Sequence, residues 1–465
     1  MTATMLDRTR ALAAALLLTA ALASAQRAPL SEKVVARIDT STAIQESINE
    51  SPDSRSVAYV GRDSTKQYVV LQGRKQKEYD GIGTGGITFS PDSKRSAYLA
   101  KSGAKFLVVA DGKEQKGYDG LGSEPVFSPD GKHLAYVARL GAKQLVVLDG
   151  KELKKYEGIG VRGPVFSPDG KRLAYVAKVG DNVRLVVDGK EGKDHEVILG
   201  PSISFSPDGK RIAYTVSREG VTHVVVDGKE HPYRAHPDAV PLFSPDSRHV
   251  AYPAAGDGKA FIVFDEKQGQ TFANIAEGSL RFSPDSRHFA YMASEKDLWS
   301  AVVDSKIQGK YANIGISTLR FSPDGKHFAF VAISGEKQYV VLDGKEGKWY
   351  DGIPEGNPIF SANSEHCAYI AKSGNSWVVV RDEKEFKSVE SIGVETLSFS
   401  PDGSHLVYVA MTRAGMIMML DESAGPAYDV ILLRRCGKVL FDSPTTFHYL
   451  AAKENAILLV EDRVR

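Results

Sequence analysis

Cysteine is nearly absent from this 465-residue chain, which carries only Cys367 and Cys436. Two thiols cannot supply a disulfide framework, so any fold must rest on apolar burial. Whether the two pair is left open by the sequence. Cys367 stands where other copies of the repeat described below carry Leu, Val, Ile or Phe, the place of a small core hydrophobe. An excess of charge of one sign is lacking too. The 59 Lys and Arg residues face 58 Asp and Glu, for a formal net charge of +1. That balance gives no electrostatic reason to expect nucleic acid or an anionic membrane as partner. Lysine-rich stretches are interleaved with Asp and Glu, as on a solvated mixed surface.

Long apolar runs are also missing. The nearest is Ala11 to Ala23, interrupted by Thr19, preceded by Arg8 and Arg10 and followed by Ala23-Ser24-Ala25. A spanning helix needs roughly 20 apolar residues. A basic start, a short apolar run and a small-residue cleavage site make residues 1–25 an expected signal peptide, an uncleaved anchor being the alternative. No Cys follows the cleavage site, which argues against lipid attachment there. The mature chain is expected to start near Gln26, to contain no integral membrane segment, and to be periplasmic or secreted.

What fills the rest is one repeat. Ser-Pro-Asp-(Gly/Ser) begins at Ser51, Ser90, Ser128, Ser167, Ser206, Ser244, Ser283, Ser322 and Ser400. A degenerate copy at Ser361-Ala362-Asn363-Ser364 keeps the register, and an eroded one at Leu440 to Tyr449 brings the total to eleven, about 39 residues apart. Within one copy, Pro164-Val165-Phe166-Ser167 is a short strand ended by Pro168-Asp169-Gly170, and Leu173 to Ala177 is a wholly apolar second strand. Arg184 to Val187 is a third, and Asp188-Gly189 is a strong hairpin signal before a polar fourth strand, Lys190 to Ile198. Helical periodicity is absent. Four short strands per period of this length describe a propeller blade. An aromatic recurs in the second strand, as Tyr59, Tyr98, Tyr136, Tyr175 and their successors to Tyr408. Ten at one repeat position form a packing layer between blades, since inner strands of stacked sheets must be apolar on both faces.

The string Phe-Ser-Pro-Asp-Gly-Lys-x-Leu-Ala-Tyr, as at Phe127 to Tyr136, resembles the WD40-like repeat of the TolB-type β-propellers. The resemblance covers about nine-tenths of the chain but only the repeats; the family's small N-terminal domain has no counterpart ahead of them. It implies an all-β propeller and leaves function open, because such repeats serve translocation proteins, peptidases and lyases alike.

Residues 26–465 are therefore expected to form one β-propeller repeat domain of four-stranded blades. Its last copy lacks a fourth strand, and residues 33–39, with Val34, Val35, Arg37 and Ile38, are expected to complete it and hide its edge. A single large ring is favoured, because no linker or jump in register divides the array; two tandem propellers of five and six blades are the alternative.

Catalytic signatures are missing. There is no nucleophile elbow, no His-Glu-x-x-His and no phosphate loop. The signature aspartates and the Asp-Gly hairpins are turn chemistry. His133, His249, His288, His327, His366 and His405 share one repeat position with Arg95, Arg172 and Arg211, and form an expected solvated basic edge. His231 and His236 share one connection without a third ligand. No metal, cofactor or catalytic residue is expected. The reading is a non-catalytic exported scaffold that binds a protein partner, the alternatives being an enzyme acting on polysaccharide or peptide and a glycan or small-molecule binder. Loops that differ between copies store specificity in a repeat array. The expected binding face therefore holds the second-to-third and fourth-to-first connections, with Lys101, Arg218, Asp257, Trp299, Trp377 and Arg413 as candidates. Trp349 lies on a fourth strand.

Overall fold

A computed structural model describes residues 27–433 and 439–464. The expected signal peptide at 1–25 and Cys436 lie outside the described residues.

The described chain forms eleven antiparallel sheets, nearly all strand, arranged as a single propeller ring. Blade 3 shows the plan. Its second strand, Leu134–Leu140, pairs on one side with a first strand in two pieces, Gly120–Leu121 and Val126–Phe127, and on the other with Lys143–Leu148. Lys151–Tyr156 is the fourth strand. The hairpin before it is the turn expected from Asp-Gly, with φ of 50° at Asp149 and 78° at Gly150. Leu134 to Ala138 are all buried, because a blade stacks on a neighbour at each face. First strands of successive blades touch, as Ser204–Phe205 does Leu242–Phe243. They converge on the axis, and the fourth strands form the rim.

The boundary between fourth and first strands differs from the sequence expectation. The fourth strand expected over Lys190 to Ile198 ends at His195, and Val197–Ile198 already belongs to the next blade. One residue, Glu196, makes the connection. The remaining variable stretch is a bulge inside the innermost strand.

Each interface between neighbours holds its own apolar cluster, from Ala58, Tyr79 and Tyr98 between blades 1 and 2 to Tyr428, Phe447 and Tyr449 between blades 10 and 11. The eleventh cluster joins the last blade to the first through Ala36, Val57, Leu432, Leu450, Ile457 and Leu459. That cluster closes one ring and excludes the tandem pair.

Ser31–Arg37 is the strand that ends the last sheet, antiparallel to Ala456–Arg463, with Val34 opposite Leu458 and Arg37 opposite Ala456. It begins and ends two residues earlier than the expected 33–39; Ile38 lies just past it and donates its N–H to the Asn455 carbonyl. The chain ahead of it is pinned by a buried ion pair, Arg27 Nη2 to Asp462 Oδ2 at 2.9 Å. Arg27 also lies 5.6 Å from the centre of the Phe447 ring. No helix among the described residues is long and apolar enough to cross a membrane. Cys367 is buried, and desolvation pushes its thiol up to about 12, which makes it an unreactive core residue.

Removing one member of a buried pair strands the other charge. Asp462→Ala is expected to destabilise the ring by about 3 kcal/mol, read from urea unfolding. A loss below about 0.5 kcal/mol would show that the segment before the closing strand does not hold the seam.

Candidate functional site

The two faces of the ring differ in how much of their chemistry is free. On the face of the Ser-Pro-Asp turns, Ser128 Oγ donates to Asp130 Oδ1 at 2.6 Å and accepts the His133 N–H at 2.9 Å. Hydrogen bonds from Ser128 and Lys132 hold the Asp130 carboxyl down at about 2. Each turn also meets the next. The Asp53 N–H donates to Ser93 Oγ at 2.9 Å, and Asp208 reaches Ser247 in the same way. Where the fourth residue is Gly, as at Gly131 with φ of 72°, a Cβ would come 2.6 Å from Asp92 Oδ1 of the preceding blade. The left-handed backbone and the close approach favour Gly in these copies, whereas in others Ser stands there with its Oγ accepting the N–H of the preceding blade's Asp. The ring of turns closes through buried His448, with Nδ1 2.7 Å from Asp442 Oδ2 and Nε2 2.7 Å from the Asp53 carbonyl.

The histidines and arginines at the start of the second strand are not a free basic edge. His133 Nδ1 lies 2.6 Å from Asp149 Oδ2, and the other five repeat histidines meet their hairpin aspartates at 2.5–2.7 Å. Arg95 donates through Nε to Asp111 at 3.0 Å and through Nη1 to the Lys132 carbonyl of the next blade at 2.6 Å. An antiparallel pair puts the start of the second strand beside the end of the third, so residues 16 apart become partners. The edge is solvated as expected, but each imidazole or guanidinium head on it is already paired with an aspartate.

On the opposite face the turn backbones are tied down and the side chains are left over. Asp80 Oδ2 accepts the Gly103 N–H at 2.6 Å, and Lys66 donates to its other oxygen. Asp119 and Asp351 repeat the arrangement with Gly141 and Gly374. Lys101 is exposed, 5.7 Å from the Phe106 ring centre. Arg218 lies 3.6 Å from Glu230, Asp257 is exposed in a turn at φ of 50°, and the Arg413 side chain is 95% exposed. The structure does not bring these four together, since they stand on blades 2, 5, 6 and 10. Trp299 and Trp377 are half-buried and pack against the clusters between blades 7 and 8 and blades 9 and 10. The exposed tryptophan is Trp349, past the short fourth strand Lys345–Glu346, stacked on Tyr339 with centres 4.9 Å apart.

Arg218 does line a cavity of about 250 Å³ in the groove between blades 4 and 5, with Asp194, His195, Glu196, His223 and Glu230. In most blades the fourth strand supplies an aromatic that meets the next blade's second-strand ring edge to face, as Tyr156 does Tyr175 at 6.2 Å. In blade 4 His195 takes that place against Tyr214. Of the five histidines outside the repeat position, His195 and His223 line this groove, His231 packs on Tyr252 of blade 6, His236 bonds to the second strand of blade 6, and His448 closes the ring of turns. Burial holds His195 and His231 below the ordinary imidazole value. The departure of His195 and His223 from the 39-residue register is the sequence signal for this groove, whereas His231 and His236, which the sequence singles out, do not line it. The described residues contain no group of three or more His, Cys, Asp or Glu arranged to hold a metal ion.

The bulges of the innermost strands are the other irregular surface. Val161 in blade 4 is 96% exposed, and Val240, Ile316 and Val394 occupy the corresponding stretches of their own blades.

Among solved structures, the chain is similar to a eukaryotic initiation factor, at 14% identity and a TM-score of 0.40, over 80% of this chain and 98% of that one. It is similar to the Cps50 (Swd1) β-propeller domain of Myceliophteria thermophila, at 13% and 0.27, over 53% and 92%. TolB from Acinetobacter baumannii matches at 13% and 0.26, over 62% and 78%. No family model matches the sequence, and no curated protein does. The propeller fold itself rests on the strand order and the closed ring of clusters described above.

His195→Tyr restores the repeat aromatic and tests what the imidazole does. Burial favours neutral His195, while Glu230 and Asp194 oppose and Lys193 and Arg218 reinforce that preference. Its contribution is complete above about pH 6.5 and is lost as pH falls toward the lowered folded value, because the unfolded chain takes up the proton first. The Tm gap between His195→Tyr and wild type is expected to widen between pH 7.5 and 5. A gap independent of pH would contradict the assignment.

Proposed function

We propose that the chain is an exported, non-catalytic scaffold, periplasmic or secreted, that binds a protein partner on the face of the second-to-third turns. The observation that carries this reading is the contrast between the faces. The constant residues of the Ser-Pro-Asp face are engaged within the ring, whereas the opposite face fixes its turn backbones and leaves differing side chains in water. A wide face with many small contacts suits a protein partner, since a stable interface buries on the order of 1,600 Å². Short turns leave little room for the longer insertions that assemble catalytic groups on propellers. Export rests on the leader-like organisation of residues 1–25.

The test is crosslinking and pull-down with the mature protein from native envelope and medium, against a bait carrying Lys101→Glu, Arg218→Glu and Arg413→Glu. Recovery of one partner is expected to fall about tenfold with the reversed bait. Equal recovery by both baits would move the interface elsewhere.

A second reading has one observation in its favour. Trp349 is 49% exposed and lies flat on Tyr339, an aromatic platform of the kind sugar rings stack on. Retention of this protein on a glycan array, lost in Trp349→Ala, would replace the protein partner by a glycan.

A further inference from the structure

Position 281 and position 320 are the same place in the repeat, two residues before the signature serine, on the innermost strands of blades 7 and 8. The other regular copies place Asn49, Thr88, Val126, Val165, Ser204, Leu242, Ile359 and Ser398 there, none of them charged. Two neighbouring blades thus carry arginine at a level of the channel wall that is otherwise neutral.

Both guanidinium groups are held the same way. Arg281 Nη1 donates to the Gly278 carbonyl at 2.6 Å and the Leu280 carbonyl at 2.8 Å. Arg320 Nη1 donates to Ser317 at 2.7 Å and Leu319 at 3.0 Å. The bulge above each arginine therefore fixes its head, and among the described residues Nε and Nη2 of neither donate a hydrogen bond. Other partly buried arginines of this protein meet a carboxylate: Arg95, Arg172 and Arg211 pair at 2.9–3.0 Å, and Arg184 pairs with two acids. Arg281 and Arg320 are half-buried as well, yet among the described residues no carboxylate pairs with either. Burial lowers the affinity of both for their protons, and for Arg281 the charge of Arg320 adds to the effect. Two fixed, partly desolvated cations that repel one another are an unbalanced arrangement, and a planar fork binds oxyanions through paired N–H groups.

We infer that Arg281 and Arg320 form an anion site in the wall of the central channel that takes one compact, doubly charged oxyanion group, a phosphate monoester or a dicarboxylate. One dianion neutralises both heads and leaves the carbonyl anchors intact. The site is independent of the protein-binding face, and either can fail without the other.

Isothermal titration of the full mature chain tests it, with inorganic phosphate, succinate, acetate and chloride at matched ionic strength. Phosphate or succinate is expected to bind, acetate and chloride about tenfold more weakly or not at all. Tighter binding of phosphate assigns a phosphate source, and tighter binding of succinate a dicarboxylate. Arg281→Gln or Arg320→Gln alone should weaken the preferred anion about tenfold, and the lysine pair Arg281→Lys with Arg320→Lys should fall between. Thermal unfolding guards against a folding defect. In chloride, the double glutamine variant should melt at or above wild type, because a repulsion has been removed. In phosphate or succinate only wild type should gain. Four anions that bind alike, or an unchanged response in the double glutamine variant, would overturn the proposal.

Discussion

A four-stranded sheet that is apolar on both faces cannot leave either face in water, and that constraint organises this molecule. Every blade needs two neighbours, and apolar clusters at all eleven seams supply them, the last seam returning to Ala36 and Val57 of the starting end. In most seams the most directional contact is an edge-to-face pair, a fourth-strand ring against the next blade's second-strand ring, as between Tyr79 and Tyr98 or Tyr428 and Tyr449. Such a pair contributes about 0.5–1.5 kcal/mol beyond the area it covers. The seam leaves no room for a gap, so the chain borrows its own N-terminal strand to complete the last blade.

The same economy decides where function can reside. Polar residues that recur in every copy satisfy local or neighbouring backbone, which is why a ring so rich in His, Asp and Arg presents little free chemistry on its Ser-Pro-Asp face. Departures from the repeat are where side chains are released from that work. They fall in three places: the differing turns of the opposite face, the His195 groove between blades 4 and 5, and the arginine pair on the channel wall.

Much of this was legible in the sequence because it depends on strong local rules. Ser-Pro-Asp and Asp-Gly specify turns, Leu134 to Ala138 reads as a strand buried on both sides, and regular spacing gives the blade count. What was not legible depends on which residues a hairpin brings opposite one another. The separation of 16 residues between His133 and Asp149 is constant through the array, yet each residue alone reads as surface. Ring packing by Tyr79, Tyr118 and Tyr156 was hidden because they end polar strands. The bulge of the innermost strand looked like an outer connection, because Gly and Pro mark bulges and loops alike. Arg281 and Arg320 were missed for that reason: only their place beside the axis distinguishes them from solvated arginines.

The central claim is a single closed ring whose every blade is covered on both faces. Cryo-electron microscopy of the mature chain tests it most directly, through class averages viewed down the axis. The account predicts one ring of eleven spokes around an open channel, with no gap at the junction of the two chain ends. Two smaller rings joined side by side, or one open arc, would contradict it.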